Sequence, residues 1–222
     1  MRLERRVRNL MKKGRRKSPL LKVRLPTKVT PELCRLLGLL HGDGNMSGGR
    51  VLLTDQNREF HKTIRGIFKS TFELAPNTFH DTGRNTYYTH TKSVLVYRFL
   101  TEIMEMPKGA VRQKLRVPAY MKKLGRHLQA EYVGGLFDAE GCVKKRQAEL
   151  NISTTSKSVF GFLGAFLRGI GVTHSPYIRM RHVNPEFEIY VYGKDDLRKF
   201  ARYVSFRHPS KKRRMANFLK RY

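Results

Sequence analysis

Cysteine is scarce in this sequence, and it has no long apolar run. The two cysteines, Cys34 and Cys142, stand far apart, and neither belongs to a Cys-x-x-Cys pair. Disulfide scaffolds and zinc fingers are therefore excluded, and a reducing intracellular location is expected, whether cytoplasmic, organellar or nucleoid-associated. No stretch approaches the roughly 20 apolar residues that span a bilayer. The basic N-terminus also lacks the apolar block of a signal peptide, so we expect no membrane partner.

Acidic residues are few compared with basic ones. The 222 residues include 46 Lys and Arg but only 17 Asp and Glu, which gives a net charge of +29 at pH 7. Such a surplus repels itself unless a polyanion compensates it. Nucleic acid is the expected partner, and its affinity should fall steeply as salt rises. The length allows one substantial core or two small ones.

One nine-residue apolar stretch occurs twice, as LLGLLHGDG at 36–44 and VGGLFDAEG at 133–141. Each copy carries two small residues four positions apart, which share one face of a helix. A face of glycine and alanine allows two helix backbones to approach closely. The small pairs are Gly38 with Gly42 and Gly135 with Ala139. We therefore predict two helices that pack tightly against each other.

Each copy ends in a carboxylate, Asp43 or Glu140, followed by a glycine that is a natural helix stop. The two acids stand 97 positions apart. That interval suits a duplicated half-domain better than a solenoid, whose repeats are typically about 20–50 residues long. The alternative interpretation is two ordinary buried helices with capping acids.

These two stretches resemble the paired LAGLIDADG motifs of single-chain homing endonucleases. The resemblance covers roughly residues 30 to 205, because the elements after each motif also recur. His41 departs from the pattern, since the family often has Asp there, and Glu140 stands where Asp is commoner. The resemblance implies an α+β fold of two αββαββα halves related by a pseudo-two-fold axis. The motif helices would lie at the centre, and each half would place an antiparallel saddle-shaped sheet over DNA.

Helical periodicity, capping residues and turn residues divide each half into helix, two strands, helix, two strands and helix. Strands are predicted at 50–56, 78–82, 86–91, 147–155, 177–181 and 187–192. The predicted segments are a basic arm at 1–24, a first half at 25–104, a linker at 105–126, a second half at 127–206 and a basic tail at 207–222. The arm has two interpretations, a phosphate-contacting helix or an idle, frayed terminus.

The outward strand faces carry side chains that hydrogen-bond base edges, and a two-stranded ribbon fits a major groove. The alternative is a solvated sheet face. The predicted DNA-binding residues are Arg50, Thr54, His80, Arg84, Tyr88, His90, Gln147, Glu149, Asn151, Ser153, Thr155, Tyr177, Arg179, Arg181 and Tyr190.

Phosphodiester hydrolysis needs an activated water and stabilisation of charge on the phosphate, and divalent cations held by carboxylates suit both tasks. By resemblance, Asp43 and Glu140 are the metal ligands, and each serves one DNA strand. Backbone carbonyls of Gly42 and Ala139 would complete the set. Mg²⁺ is the expected cofactor, Mn²⁺ is expected to substitute for it, and Ca²⁺ to support binding without cleavage.

The family surrounds this centre with polar and basic side chains. Gln56 ends its strand where such a glutamine is found, and Thr155 is its counterpart in the second half. Lys144 is the predicted basic residue of the site, with its neighbour Lys145 as an equal alternative. Either lysine could instead make a simple phosphate contact.

The resulting hypothesis is a monomeric, Mg²⁺-dependent endonuclease, encoded in an intron, that cuts both strands of a long, partly asymmetric DNA target. The alternative is a non-cutting protein of the same fold, either a maturase for intron RNA or a transcription factor. The two retained acids favour cutting, because a pure binder has no need of them. An intein is not expected, because the chain shows neither a starting nucleophile nor a terminal His-Asn pair.

Overall fold

A computed structural model describes residues 3–13, 23–109, 115–181 and 184–221. Parts of the predicted basic arm, linker and tail lie outside these ranges. The described helices are α1 (Glu4–Lys13), α2 (Pro31–Asp43), α3 (Arg58–Phe72), α4 (Val94–Arg98), α5 (Arg126–Ala139), α6 (Lys157–Gly169), α7 (Lys194–Tyr203) and α8 (Pro209–Arg221). The described strands are β1 (Gly44–Ser47), β2 (Arg50–Asp55), β3 (Asn77–Asp81), β4 (Thr86–Thr91), β5 (Gly141–Val143), β6 (Glu149–Thr154), β7 (Ser175–Arg181) and β8 (Asn184–Tyr192).

Two four-stranded antiparallel sheets share one topology, with strand orders β1-β2-β4-β3 and β5-β6-β8-β7. Their registers are equivalent too, because Gly44 pairs with Leu53 and Gly141 pairs with Ile152. The predicted α+β fold of two αββαββα halves is confirmed. Gly44 and Gly141 are 97 residues apart, whereas their partners Leu53 and Ile152 are 99 apart. The offset of 99 is the one that separates Gln56 from its predicted counterpart Thr155.

Side-chain caps begin several of the helices. Thr30 accepts a hydrogen bond from the Leu33 amide, and Ser93 accepts one from the Val96 amide. Such a cap typically contributes about 1 kcal/mol. Asn57 caps α3 and Ser156 caps α6 in the same way. Thr30 and Ser93 thus fix the starts of α2 and α4. After α4 the chain continues into a π-helical turn, Phe99–Ile103.

A continuous apolar core runs through both halves and extends to the terminal helices. Leu3, which precedes α1, and Val7 and Leu10 within it are buried, and Arg6 donates to the Glu102 carbonyl at 2.8 Å. In α8, Met215 is buried. Both terminal helices are thus docked on the body of the protein over their described residues. No helix in the described part of the chain is long and apolar enough to cross a membrane.

The two motif helices, α2 and α5, pack backbone to backbone through their glycines. A Cβ atom added to Gly38 would lie 2.9 Å from the Gly135 Cα, and one added to Gly135 would lie 2.8 Å from the Leu39 amide nitrogen. Real Cβ atoms do not come this close to backbone, so neither position accepts a larger residue without movement. The tight helix pair predicted from the small-residue spacing is confirmed.

The glycines that follow the two acids are needed for space and not for an unusual backbone conformation. Gly44 has φ −79°, an ordinary extended value. A Cβ there would lie 2.6 Å from the Leu40 Cα, and one on Gly141 would lie 2.6 Å from the Phe137 carbonyl oxygen. Each glycine therefore lets the chain turn from helix to strand directly against the last helical turn.

Candidate functional site

Two polar pairs join the motif helices across their interface. The His41 Nδ1 and the Tyr132 hydroxyl lie 2.6 Å apart, and Arg35 donates to Asp138 at 2.9 Å. The same 97-residue offset relates Arg35 to Tyr132 and His41 to Asp138. Equivalent positions of the two halves therefore hold a neutral pair in one case and an ion pair in the other. Burial lowers the pKa of His41 to about 3, so its ring is uncharged.

The Arg35–Asp138 pair is completely buried, with both side chains 0% exposed. Arg35 also donates to Glu131 at 2.8 Å and to the Ser205 carbonyl at 3.0 Å. Asp138 also accepts from the backbone amides of the segment that follows α7, at Arg207 and His208. Burial raises the pKa of Asp138, and the Arg35 charge opposes that shift. This network joins both motif helices to the chain that leads into α8.

The two predicted ligands lie together at the ends of the motif helices. Asp43 is the last residue of α2, and Glu140 caps the C-terminus of α5. The Glu140 Cγ is 3.2 Å from the place where a Cβ of Gly42 would stand, so its side chain lies against the end of the first motif. A cleft of about 570 Å³ beside Asp43 is also lined by Gln56.

A second cavity, of about 280 Å³, lies on the other side of Asp43 and includes Gly42 and Asn45 in its wall. The Asn45 Oδ1 is buried there and has no hydrogen-bond partner. Within the described ranges, no cluster of three or more His, Cys, Asp or Glu side chains could hold a metal ion. Two carboxylates plus amide and carbonyl oxygens form an all-oxygen donor set, which fits Mg²⁺ because that ion prefers oxygen ligands and keeps several waters.

Lys211 is the basic side chain that reaches the motif end. Its ammonium group donates to the carbonyls of Phe137, Asp138 and Ala139, at 3.0, 2.5 and 2.9 Å. Cations at a helix C-terminus are stabilising, because the last carbonyls have no helical partner. Burial lowers the pKa of Lys211, while the carboxylates of Asp138, Asp43, Asp55 and Glu140 oppose this shift. The Ala139 carbonyl, predicted as a metal ligand, is therefore also a lysine acceptor.

Sequence reasoning missed Lys211 and favoured Lys144. Lys144 directly follows β5, with its ammonium group 3.9 Å from the Glu149 carboxylate, and it lines a different pocket formed with α8. The only sequence signal for Lys211 is its place in a basic run, which does not distinguish it from its neighbours. Contact with the motif end becomes visible only when α8 is docked.

Asp55 links the end of β2 to the segment before α8. Its carboxylate lies 3.4 Å from the His208 Nε2, and the other ring nitrogen of His208 lies 3.0 Å from the Ser210 hydroxyl. Burial of Asp55 opposes its ionisation, but hydrogen bonds from His208 and the Asn57 amide lower its pKa overall. All three side chains line the cleft that contains Asp43 and Gln56.

In the first sheet, most of the predicted DNA-binding residues share one outward face. Val51 and Leu53 are buried beneath it, and Thr54 pairs with Tyr88. The other predicted residues on this face are Arg50 and His90, with Arg84 exposed in the turn beyond. Phe79, which was not predicted, stacks on Tyr88 with ring centroids 4.8 Å apart.

His80 lies on the opposite face from Tyr88 and His90. It pairs with Tyr87 in the register of β3 and β4, and their rings stack with centroids 4.1 Å apart. The structure therefore does not bring His80 together with the rest of the predicted set.

In the second sheet, the outward face is built from paired polar residues. Asn151 pairs with Tyr190, and Tyr177 pairs with Glu188. Arg179 lies 3.5 Å from Glu188, so an acid partly neutralises this arginine. The remaining strand positions of the prediction are Glu149, Ser153 and Arg181, while Gln147 and Thr155 fall just outside β6.

A family model described as a LAGLIDADG-like domain matches residues 127–205. The glutamine–fructose-6-phosphate aminotransferase of Methanocaldococcus jannaschii is 26% identical over 189 residues, covering 83% of this chain and 17% of that protein. Homing endonuclease I-ApeI of Aeropyrum pernix is 29% identical over 143 residues, covering 62% and 63%. The chain therefore spans less than two thirds of the length of either relative.

Solved structures share the fold at low identity. The homing endonuclease I-DmoI in complex with DNA and Mn matches with a TM-score of 0.58 at 17% identity, over 80% of this chain and 97% of that one. Full-length DUF199/WhiA from Thermatoga maritima matches with a TM-score of 0.53 at 12% identity, over 86% and 61%. The second half of the chain thus matches a LAGLIDADG-like domain, and the described fold of both halves is shared with solved structures that include the N-terminal LAGLIDADG domain of DUF199/WhiA.

Proposed function

We propose that the protein is a site-specific endonuclease that cuts both strands of duplex DNA with the help of a divalent metal ion. The observation that carries this proposal is the position of Asp43 and Glu140 at the adjoining ends of two tightly packed helices. Two carboxylates placed close to each other repel, and a bound divalent ion reduces that repulsion. Mg²⁺ bound there would supply an activated water and stabilise charge on the phosphate.

The surrounding residues support a division of labour along the chain. The outward faces of the two sheets carry the groups that read base edges, and the motif ends lie between the two halves. Gln56 lines the cleft beside Asp43, where its amide can orient a water or a phosphate oxygen. Lys211 fixes the last turn of α5 and therefore the direction in which Glu140 leaves it.

The relatives also support this function. I-ApeI is named as a homing endonuclease, and the matched I-DmoI structures are complexes with DNA and Mn, Ca or Mg. We therefore propose Mg²⁺ as the cofactor, with Mn²⁺ able to replace it and Ca²⁺ supporting binding alone. Encoding within an intron is part of the same proposal.

A binding protein without nuclease activity is the second candidate. The match to WhiA supports this second candidate, because that structure is not named as an endonuclease. The partner would then be DNA or intron RNA, and the motif acids would serve only to cap their helices.

Cleavage of plasmid DNA that carries the uninterrupted host gene separates the two candidates. We expect linear product in Mg²⁺ or Mn²⁺, and binding without cleavage in Ca²⁺. The matched control is the same plasmid with the gene interrupted at the insertion site. Binding to the uninterrupted site without cleavage in any metal would favour the second candidate and overturn the first.

A further inference from the structure

Helix α8 runs from the motif end outward along the edge of the second sheet. Near its start, Lys211 bonds the last carbonyls of α5, and one helical turn later Arg214 donates to the Val143 carbonyl at 3.2 Å. At its far end, Phe218 and Arg221 meet the turn between β5 and β6. Thirteen residues at 1.5 Å each make the helix about 20 Å long.

The exposed surface of α8 carries one sign of charge. Its 13 residues contain no acid, and the basic ones are Lys211, Lys212, Arg213, Arg214, Lys220 and Arg221. The turn that it meets adds Lys144, Lys145 and Arg146, which line a pocket of about 230 Å³ with Arg213, Arg214 and Arg221 of the helix. Met215 is buried and anchors the helix, and Lys211 and Arg214 bond carbonyls of the protein body. The other cations, Lys212, Arg213, Lys220 and Arg221, are exposed. Such a cluster repels itself unless an anion lies on it.

This basic strip borders the outward face of the second sheet. Cys142 in β5 pairs with Asn151, and the Lys144 amide donates to the Glu149 carbonyl. Asn151 and Glu149 both belong to the predicted recognition surface. DNA seated on that surface would therefore bring its phosphates beside α8.

The first half is built differently at the equivalent edge. There, β1 bonds an extended segment, with the Gly109 amide donating to the Met46 carbonyl at 2.6 Å. Among the described residues, no helix runs along the edge of β1 in the way that α8 runs along the edge of β5. The family domain match also ends at residue 205, before α8 begins. The basic strip is therefore an asymmetric addition to a duplicated body.

We propose that α8 and the 144–146 turn form a phosphate-binding rail for duplex DNA that extends the contact from the cleavage centre along one flank only. This inference rests on the proposed function and deepens it, because it assigns the flank on which the protein holds DNA more strongly. A 20 Å helix spans about six base pairs at 3.4 Å each. Because phosphate contacts position and do not specify, the rail adds affinity without adding base preference.

Two charge-matched triple variants test the rail. The first combines Lys145→Gln, Arg213→Gln and Arg221→Gln, which lie in the basic pocket. The control combines Lys62→Gln, Arg65→Gln and Lys69→Gln on the exposed side of α3, behind the first sheet. Each variant loses three charges, so an effect of net charge alone would appear in both. A third variant, Lys145→Arg with Arg213→Lys and Arg221→Lys, keeps the charges and should behave as the parent.

The measurements are the salt dependence of duplex binding in Ca²⁺ and a hydroxyl-radical footprint. Each lost phosphate contact should make the slope of log affinity against log salt shallower by about 0.9, so the rail variant should lose up to about 2.7. The control slope should stay near the parent's. In the footprint, the rail variant should lose protection on one flank only.

Parent-like slope and footprint in the rail variant would overturn the rail while leaving the endonuclease proposal intact. Weakened binding to intron RNA with unchanged binding to duplex DNA would also overturn it, in favour of an RNA partner. A parent protein that binds no duplex DNA would instead overturn the proposed function itself. If the salt slope became equally shallow in the rail and control variants, the cause would be the lower net charge alone, and the rail would be contradicted.

Discussion

At the residue scale, the polar contacts between the motif helices show how a duplicated structure becomes asymmetric. One contact position holds the neutral pair His41 and Tyr132, and its equivalent holds the ion pair Arg35 and Asp138. The ion pair is supported by backbone amides and by Glu131, which is what a buried charge requires to be tolerated. Removing Asp138 leaves the buried Arg35 with Glu131 as its remaining acidic partner.

We expect Asp138→Asn to destabilise the protein by roughly 3 kcal/mol, the lower end for a broken buried pair, because Glu131 still contacts Arg35. Urea unfolding monitored by circular dichroism measures this. The control is Asp195→Asn, whose side chain is 86% exposed and whose contact with Arg198 is on the surface. It should change stability by less than about 0.5 kcal/mol. Equal stability of the two variants would contradict the structural role of Asp138.

His61 makes folding depend on pH. Its ring is buried, with Nδ1 2.7 Å from the Thr89 hydroxyl, and burial lowers its pKa. A lowered pKa means that the unfolded chain takes up the proton more readily. The stability this residue contributes is therefore present above the unfolded pKa of about 6.5 and is lost as pH falls below it.

Urea unfolding between pH 7 and pH 5 should show a parent stability that falls towards pH 5. In His61→Gln the fall should be shallower, by at most about 1.4 kcal/mol per pH unit. Parallel curves for the two proteins would show that the pKa of His61 is not lowered in the folded state.

At the element scale, the motif helices are held together by backbone contact through glycine. We expect Gly38→Leu and Gly135→Leu to destabilise the fold by roughly 1–3 kcal/mol or more, because a larger side chain overpacks the interface. Gly66→Ala is the matched control, since a Cβ at this helical glycine meets nothing within 4 Å. It should stabilise the protein by about 0.5–1 kcal/mol. Thermal melts compare the three variants, and a parent-like melt for either Leu variant would contradict the close approach.

The elements also show what could be predicted from sequence. The helix pair was predictable, because glycines four apart encode a close approach without reference to other segments. The strands β1 and β5 were not located, because they have only four and three residues and exist through pairing with β2 and β6. The face of His80 could not be predicted, since β3 carries polar residues on both faces and only its register with β4 distinguishes them.

Contacts between side chains that are distant in sequence could not be predicted either. Arg35 and Asp138 are 103 positions apart, and Lys211 is 72 positions from Ala139. No local pattern connects such residues. The positions of the two motif acids at the helix ends were predictable because each acid ends a recognisable motif, whereas the lysine that contacts the motif end depends on how α8 docks.

At the scale of the whole molecule, one chain supplies both motif helices and both sheets. We therefore expect a monomer to occupy a single, partly asymmetric DNA site, whereas a chain with one motif would need a two-fold dimer and favour a symmetric site. Sedimentation of the protein with its duplex in Ca²⁺ should give one chain per duplex. Two chains in every complex would contradict this arrangement.

The central claim is that Asp43 and Glu140 are needed for cutting and not for recognition. Asp43→Asn and Glu140→Gln keep size and hydrogen-bonding capacity but remove the charge that holds a divalent ion. Asp195→Asn is the exposed control and should cut as the parent does.

The most direct measurement is electrophoresis of supercoiled, nicked and linear plasmid after incubation in Mg²⁺, paired with duplex binding in Ca²⁺. Both motif variants should bind with affinity near the parent's and fail to linearise the plasmid. Nicked product would indicate that each acid serves its own strand. Full linearisation by either variant, or loss of binding together with loss of cutting, would contradict the account.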